Sequence, residues 1–137
     1  SARGDLALFG GPALGRRAFL EQAGPAAEGV LLPLTREESA QAAEFADRFA
    51  ARWNAAPDDA AFHAYDAARL LVAAIQRGGL DRAGIRDALA ALSPWSGVSG
   101  VIRWDEIGRN ARRARLGTIR DGRVQPVRGG NARGAAR

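Results

Sequence analysis

The chain contains no cysteine and no methionine, and its only histidine is His63. Without cysteine, neither a disulfide framework nor a Cys-ligated metal site can form. Asp59 and Asp66 lie within one helical turn of His63, but protein zinc sites usually recruit further nitrogen or sulfur ligands. We therefore predict no metal and no cofactor, and we expect an acidic residue here to cap a helix.

The residue combinations of the common hydrolases are also missing. A nucleophilic triad has few of its parts in a chain with one histidine, no cysteine and no nucleophile elbow. Asp105 and Glu106 form an acidic pair, but neighbouring side chains at a strand end point to opposite sides. General acid–base work needs two carboxylates that converge across a substrate. We expect a polar turn at this pair and no enzymatic activity.

Lysine is absent, so all 20 basic residues are arginines, and they are unevenly distributed. Residues 109–137 carry nine arginines against Asp121 alone, a net charge of +8, which leaves residues 1–108 at −3. Nucleic-acid-binding domains usually carry their basic patch on a structured face. We expect no nucleic-acid partner, and keep polyanion binding through the arginine-rich end as an alternative.

Long apolar runs are also lacking. No uninterrupted run approaches the roughly 20 residues of a membrane helix, and no signal peptide opens the chain. We therefore predict no membrane insertion. The 137 residues, 47% of them hydrophobic, are enough to bury the core of an ordinary domain.

What is present begins with a strand–helix–strand pattern. An apolar run at residues 5–11 ends in glycines, a short helix is predicted at 16–24, and a second apolar run covers 28–34. Strands that alternate with helices pair in parallel as a rule. The pattern therefore predicts an α/β fold with a parallel sheet flanked by helices.

Three further helices are predicted from their start signals. Thr35 to Glu38 reads as a capping box ahead of a helix whose apolar face holds Phe45, Phe49 and Trp53. Asp58 or Asp59 can cap the second helix, and Asp81 opens the third. The buried stripe expected on the second helix consists of Tyr65, Ala68, Leu71, Val72 and Ile75.

The stretch WSGVSGVIRWDEIGRN at residues 95–110 predicts a single strand between two turns. Trp95 lies in its glycine-flanked loop and can face the core or a ligand. The stretch ARLGTIRDGRVQPV then predicts a hairpin that turns at Asp121 and Gly122.

The turn GGPALG at residues 10–15 lies between a predicted strand and a helix, where phosphate-binding loops occur. Pro12 replaces the middle glycine of the dinucleotide fingerprint, and Arg16 and Arg17 replace the lysine and hydroxyl of the mononucleotide loop. Two explanations stay open: glycines required for close backbone approach, or amides offered to an anionic or polar ligand. A nucleotide- or polyanion-binding α/β module using this turn is the alternative function.

The order of motifs resembles the C-terminal portion of type I periplasmic solute-binding proteins, the leucine/isoleucine/valine-binding branch of ABC transporter receptors. A Tyr-Asp-Ala-Ala helix at 65–68 precedes an Ile-Arg-Asp-Ala-Leu helix at 85–89. A G-V-x-G-x-I-x-W-D-x-x-G segment follows at 97–108, and a final R-D-G-R-x-x-P-V hairpin covers 120–127. By this resemblance, Trp104 and Asp105 are structural residues.

The resemblance implies two α/β lobes joined by crossing strands, with ligand held between them and closure by hinge bending. Residues 1–34 would then complete a βαβ unit of the second lobe and a hinge crossing. Residues 35–112 would belong to the first lobe, and 113–127 would return to the second as a closing hairpin. Residues 128–137 are expected to form a disordered basic tail.

The function implied by the resemblance is binding of a small polar solute, an amino acid or related compound, for an ABC uptake transporter. The expected partners are this small-molecule ligand and the transporter permease, with a periplasmic or exported location and a monomeric complete protein. The expected ligand-binding residues are Gly10, Gly11, Pro12, Ala13 and Tyr65. Amino-acid-binding members often carry an acidic residue at this turn, so Pro12 and Ala13 leave other polar solutes open.

Overall fold

A computed structural model describes residues 7–127, which fall into two compact units. The first unit takes the described residues up to Leu34 and from Ala114 onward, and the second is Thr35–Arg113. The helices and strands in chain order are α1 (Arg17–Ala23), β1 (Leu31–Leu34), α2 (Ala40–Trp53), α3 (Asp59–Gly78), α4 (Arg82–Ala91), β2 (Trp95–Gly97), β3 (Gly100–Ile102), β4 (Arg115–Arg120) and β5 (Arg123–Pro126). The α/β fold class is confirmed. The predicted basic tail at 128–137 lies outside the described residues.

The first unit is built on a three-stranded antiparallel sheet in the order β1-β4-β5. Its hydrophobic core consists of the buried side chains of Ala27, Val30, Leu32 and Ile119. Phe19 and Leu20 of α1 pack against this cluster and remain partly exposed. The helix predicted at 16–24 is therefore present, and its apolar side covers the small core.

The parallel pairing expected from the strand–helix–strand pattern is confined to one bridge, between Phe9 and Leu31. Leu8 and Phe9 are 49% and 69% exposed, so the apolar run that predicted a buried strand is exposed where it is described. The named strands pair antiparallel because β4 and β5 form a hairpin and β1 joins that hairpin along β4. The turn residues Asp121 and Gly122 both have positive φ, 51° and 67°, as a type I′ turn requires. The predicted hairpin is confirmed.

The second unit contains α2, α3, α4 and the β2–β3 hairpin. Each helix begins at a side-chain cap, in which Ser39, Asp58 and Asp81 accept a backbone N–H three residues later. The capping box predicted at Thr35 is wrong, because α2 begins only after Ser39 and the Thr35 hydroxyl donates instead to Asp59, at 2.5 Å.

The prediction of which α3 side chains form the buried stripe is also wrong. The side chains that α3 buries are Phe62, Asp66, Leu70 and Ala74. Leu71 and Val72 are 47% and 54% exposed. The buried face contains a carboxylate, so a search for apolar spacing alone selects the neighbouring stripe.

The aromatic row of α2 is continuous, with ring centroids 5.8 Å apart for Phe45 and Phe49 and 6.4 Å apart for Phe49 and Trp53. Phe45 also meets Phe62 of α3 edge-on at 4.8 Å, a geometry that aromatic rings favour. Trp53, at the end of the row, is 60% exposed. The two helices therefore pack through Phe45 and not through the whole predicted face.

The stretch at residues 95–110 forms a hairpin, β2–β3, where a single strand was predicted. Trp95 pairs with Ile102 and Gly97 with Gly100, so Val98 and Ser99 make the turn. Beyond β3, Trp104 is held by its indole N–H, which donates to the Leu89 carbonyl at 3.1 Å. This anchors the chain after the hairpin to α4.

Candidate ligand-binding site

The four predicted ligand-binding residues of the first unit, Gly10, Gly11, Pro12 and Ala13, lead into a single 3-10 turn at Pro12–Gly15. Gly10 donates its amide to the Leu31 carbonyl at 2.9 Å, and proline has no N–H, so two of the four have no amide to offer a ligand. Gly11, Pro12 and Ala13 are exposed.

The glycines at the two ends of this turn lie close to neighbouring side chains. A Cβ at Gly10 would collide with the Leu14 side chain, and one at Gly15 would come within 3.2 Å of Leu32 and Val124. Close packing against the Leu14, Leu32 and Val124 side chains therefore favours glycine at the two ends of the turn.

Tyr65, the predicted site residue of the second unit, lies half-buried on α3 between two arginines. Its hydroxyl accepts hydrogen bonds from Arg48 of α2 at 3.2 Å and from Arg69 of α3 at 3.4 Å. Both guanidinium groups also lie over the phenol ring, 6.0 Å and 5.9 Å from its centroid. The hydrogen bond from Arg69 is the largest cause of a lowered pKa of Tyr65, and the hydrogen bond from Arg48 is the second, because both stabilise the phenolate.

Asp66, the next residue, fixes the β2–β3 hairpin onto α3. It is 2% exposed, and its carboxylate accepts the amides of Val98 and Ser99, both at 2.8 Å, and the Ser99 hydroxyl at 2.6 Å. A Cβ at position 97 would collide with this carboxylate, so β2 can come this close to Asp66 only with glycine at that position. Sequence reasoning missed this contact; the signal available was an acid between the apolar residues of α3 and a later Gly-Val-Ser-Gly turn.

A cavity of about 230 Å³ opens inside the second unit next to these residues. Its lining includes Arg48, Tyr65 and Arg69 from the helices and Trp95 and Val98 from the hairpin. Hydrogen-bond donors therefore share this cavity with two aromatic side chains. The arrangement can bind a small polar or anionic molecule.

The remaining candidates have structural roles. Asp105 accepts the amides of Ile107 and Arg109 at 3.1 Å and 2.8 Å, and the Arg109 amide is the main cause of its lowered pKa. The polar turn predicted at Asp105 is thus present. His63 is exposed, and residues 7–127 contain no group of three His, Cys, Asp or Glu side chains that could hold a metal. Within the same residues no helix is long and apolar enough to cross a membrane.

The sequence model of a family described as "Periplasmic binding protein" matches residues 3–123. No curated protein sequence matches the chain significantly.

Several solved structures resemble the chain. A Rhodospirillum rubrum protein assigned as a branched-chain amino acid ABC transporter is 30% identical over 91% of the chain, with a TM-score of 0.72. LivJ of Streptococcus pneumoniae, a branched-chain amino acid transporter substrate-binding protein solved with isoleucine, is 27% identical over 88%, with a TM-score of 0.77. The leucine-binding protein LivK of Thermotoga maritima, 23% identical over 91% with a TM-score of 0.79, shares the fold. The chain spans 38%, 36% and 37% of these proteins in turn.

Proposed function

The chain belongs to the periplasmic binding protein family, and on that premise we propose that it binds a small polar solute for an ABC uptake transporter. The observation that carries the proposal is the family match over residues 3–123, together with structural similarity over 91% of the chain to a protein assigned to branched-chain amino acid transport. We place the chain in the periplasm or another exported location, with the transporter permease as its protein partner and no catalytic step.

The proposed binding mode uses both units. In a two-lobed receptor, ligand is held between lobes that close on it by hinge bending. We assign residues 1–34 and the hairpin at 113–127 to one lobe and residues 35–112 to the other. The proposed ligand contacts are the exposed end of the 10–13 turn and the Tyr65 hydroxyl.

The proposed ligand class depends on the side chains at the 10–13 turn and on the solutes named for similar proteins. The absence of an acidic side chain from Gly11, Pro12 and Ala13 removes the usual partner of an α-ammonium group at this turn. Branched-chain amino acids are the solutes named for the similar proteins from Rhodospirillum rubrum and Streptococcus pneumoniae. We therefore propose a small polar solute, an amino acid or a related compound, and the missing acidic partner leaves solutes without an ammonium group open.

The test is thermal unfolding of the chain with leucine, isoleucine, valine, their amides and a set of small sugars. A ligand at 100 times its Kd stabilises the native state by about 2.7 kcal/mol, which raises the unfolding midpoint. We expect one compound to do so, and we expect Ala13→Phe to abolish the shift by filling the exposed turn. Ala83→Phe, at an exposed alanine of α4, should leave the shift in place. A midpoint that no compound moves would contradict the proposal for this chain.

A further inference from the structure

The two ends of the second unit are joined by one side chain. The unit begins at Thr35 and ends at Arg113, so the chain enters it at the first of these residues and leaves it at the second. Arg112 donates one hydrogen bond from its guanidinium to the Thr35 carbonyl. It donates another, at 2.7 Å, to the Ser99 carbonyl in the turn of the β2–β3 hairpin. Arg112 therefore connects the end of the unit both to its beginning and to this turn.

The Ser99 carbonyl is an acceptor shared by the two ends. It accepts the Glu37 amide at 3.0 Å in addition to the Arg112 guanidinium. The amide and hydroxyl of Ser99 in turn donate to Asp66 of α3. Both ends of the unit are thus bonded to a turn that α3 holds in place.

Without Arg112, each end would be held by separate contacts. Within residues 7–127, the bond from Arg112 to Thr35 is the only hydrogen bond between the segments 35–39 and 109–113. At the beginning of the unit, Thr35 and Arg36 also donate to Asp59. At the end, the Ala111 amide donates to the Arg103 carbonyl at 2.8 Å.

Arginine is suited to this position because its planar guanidinium carries several N–H donors in a fixed arrangement and remains charged. Arg112 is partly buried and forms no ion pair with a carboxylate of residues 7–127, so backbone carbonyls are its acceptors. Gly100, with a φ of +117°, lies beside it, and a Cβ there would lie 2.8 Å from the guanidinium. Glycine at position 100 therefore leaves room for the Arg112 side chain.

We propose that Arg112 acts as a latch that makes the two ends of the second unit open and close together. Proteins open locally in cooperative segments without unfolding as a whole, and a contact that joins two segments makes them open as one. The inference goes beyond the proposed function, because it concerns Thr35–Arg113 alone and involves no ligand.

The experiment measures amide hydrogen exchange of the full chain by ¹H–¹⁵N NMR, in the parent protein and in Arg112→Gln. The exchange rate of each amide, relative to that of an unstructured peptide, gives the equilibrium constant for its opening. The Glu37 amide reports on the beginning of the unit, and the Ala111 amide reports on its end. The amide of Ala74, a fully buried residue of α3, reports on unfolding of the unit as a whole.

In the parent protein, we expect Glu37 and Ala111 to have the same opening constant, and both to exchange faster than Ala74. In Arg112→Gln, both amides should exchange about tenfold faster or more, because hydrogen bonds from a charged group are lost. Their opening constants should also become unequal, because each end then depends on its own contacts. Arg113→Gln is the matched control, since it removes the same charge from an exposed neighbouring residue, and it should leave both amides unchanged.

Arg112→Lys is a second variant, which keeps the charge but loses the planar fork that reaches two carbonyls. We expect it to accelerate exchange at Glu37 and Ala111 less than Arg112→Gln does, and it replaces that variant if Arg112→Gln does not fold.

Any of four results would overturn the inference. These are unequal opening constants for Glu37 and Ala111 in the parent protein, exchange of both amides at the opening constant of Ala74, unchanged exchange at Glu37 when Arg112 is replaced, and equal acceleration in Arg113→Gln. None of them bears on the proposed function, whose test measures the effect of added solutes on the unfolding midpoint. A chain in which no solute raises that midpoint can still show the coupled opening of its two segments.

Discussion

At the scale of single residues, the Asp66 carboxylate holds the turn of the β2–β3 hairpin on α3. One side chain of α3 satisfies two backbone amides and a hydroxyl of a hairpin more than 30 residues later in the chain. Buried carboxylates are tolerated when hydrogen bonds replace the water that they lose. The position of Trp95, and with it one wall of the cavity, therefore depends on this carboxylate.

Replacing the carboxylate tests that dependence. Asp66→Asn places an amide NH₂ among donors that need acceptors, and we expect it to lower the free energy of unfolding by about 1–3 kcal/mol. Urea denaturation followed by circular dichroism measures the change. Asp47→Asn, at an exposed position of α2, should stay within about 0.5 kcal/mol of the parent chain. Equal losses in the two variants would show that the Asp66 contacts contribute little.

Tyr65 is the only tyrosine, so its ionisation can be followed directly by absorbance near 295 nm. Because hydrogen bonds from Arg69 and Arg48 lower its pKa, we expect a midpoint below the ordinary value of about 10. Arg69→Gln should raise the midpoint, since it removes the larger of these hydrogen bonds. A midpoint unchanged by that substitution would contradict the assigned cause.

The same shift predicts how stability depends on pH. Between the lowered pKa of Tyr65 in the native state and about 10 in the unfolded state, the unfolded chain binds more protons, so the free energy of unfolding rises with pH. The contribution is complete above about pH 10 and is lost as the pH falls through the native pKa. Arg69→Gln should reduce this rise in urea denaturation series over the same pH range.

At the scale of elements, the helix starts and the hairpin show what a sequence can and cannot specify. The caps at Asp58 and Asp81 and the Asp121-Gly122 turn were predictable because each depends on a few neighbouring residues. The start of α2 was not. Thr35 to Glu38 have the sequence of a capping box, but the Thr35 hydroxyl donates to Asp59, 24 positions away, and Ser39 caps the helix.

This difference can be measured at α2. Ser39→Ala removes the cap that accepts the Ala42 amide at 3.1 Å, and loss of such a cap costs about 1 kcal/mol. Thr35→Ala removes only a hydrogen bond to an exposed carboxylate and should cost less. Thermal and urea unfolding of the two variants decide the order, and a larger loss in Thr35→Ala would restore the capping-box explanation.

The β2–β3 hairpin depends on Gly97, because a side chain at this position would collide with Asp66. Gly97→Ala would force the new methyl group into the Asp66 carboxylate, and overpacking of this kind costs about 1–3 kcal/mol. Gly11→Ala is the matched control, because Gly11 has extended backbone and open space around its Cα. Urea denaturation should separate the two variants, and comparable stabilities would mean that the hairpin can move away from α3.

At the scale of the whole molecule, the uneven charge of the chain bears on its partners. Residues 1–108 carry a net charge of −3 and 109–137 a net charge of +8. We expect no saturable binding to a labelled 20-base-pair DNA duplex at about 150 mM salt in fluorescence anisotropy, and only a weak, strongly salt-dependent association below that. Tight binding that disappears when residues 128–137 are removed would contradict the expected absence of a nucleic-acid partner.

The order of motifs was enough to predict the fold class and the family, since both are carried by short local patterns at fixed spacing. The packing of α3 was beyond that reasoning. Its buried face includes Asp66, whose partners come from a turn far along the chain, so that apolar spacing pointed to Leu71 and Val72 instead. The cavity was unpredictable for the same reason, because Trp95 lines it only once the hairpin is fixed on α3.

The bond between Asp66 and the hairpin turn also has an evolutionary consequence. A carboxylate at position 66, a glycine at 97 and a hydroxyl at 99 fit one another, and any one of them changed alone leaves a collision or an unpaired group. Substitutions at these three positions should therefore be inherited together in related chains. Lineages that replace the acid should also have exchanged the turn, whereas the exposed Leu71 and Val72 can drift independently of either.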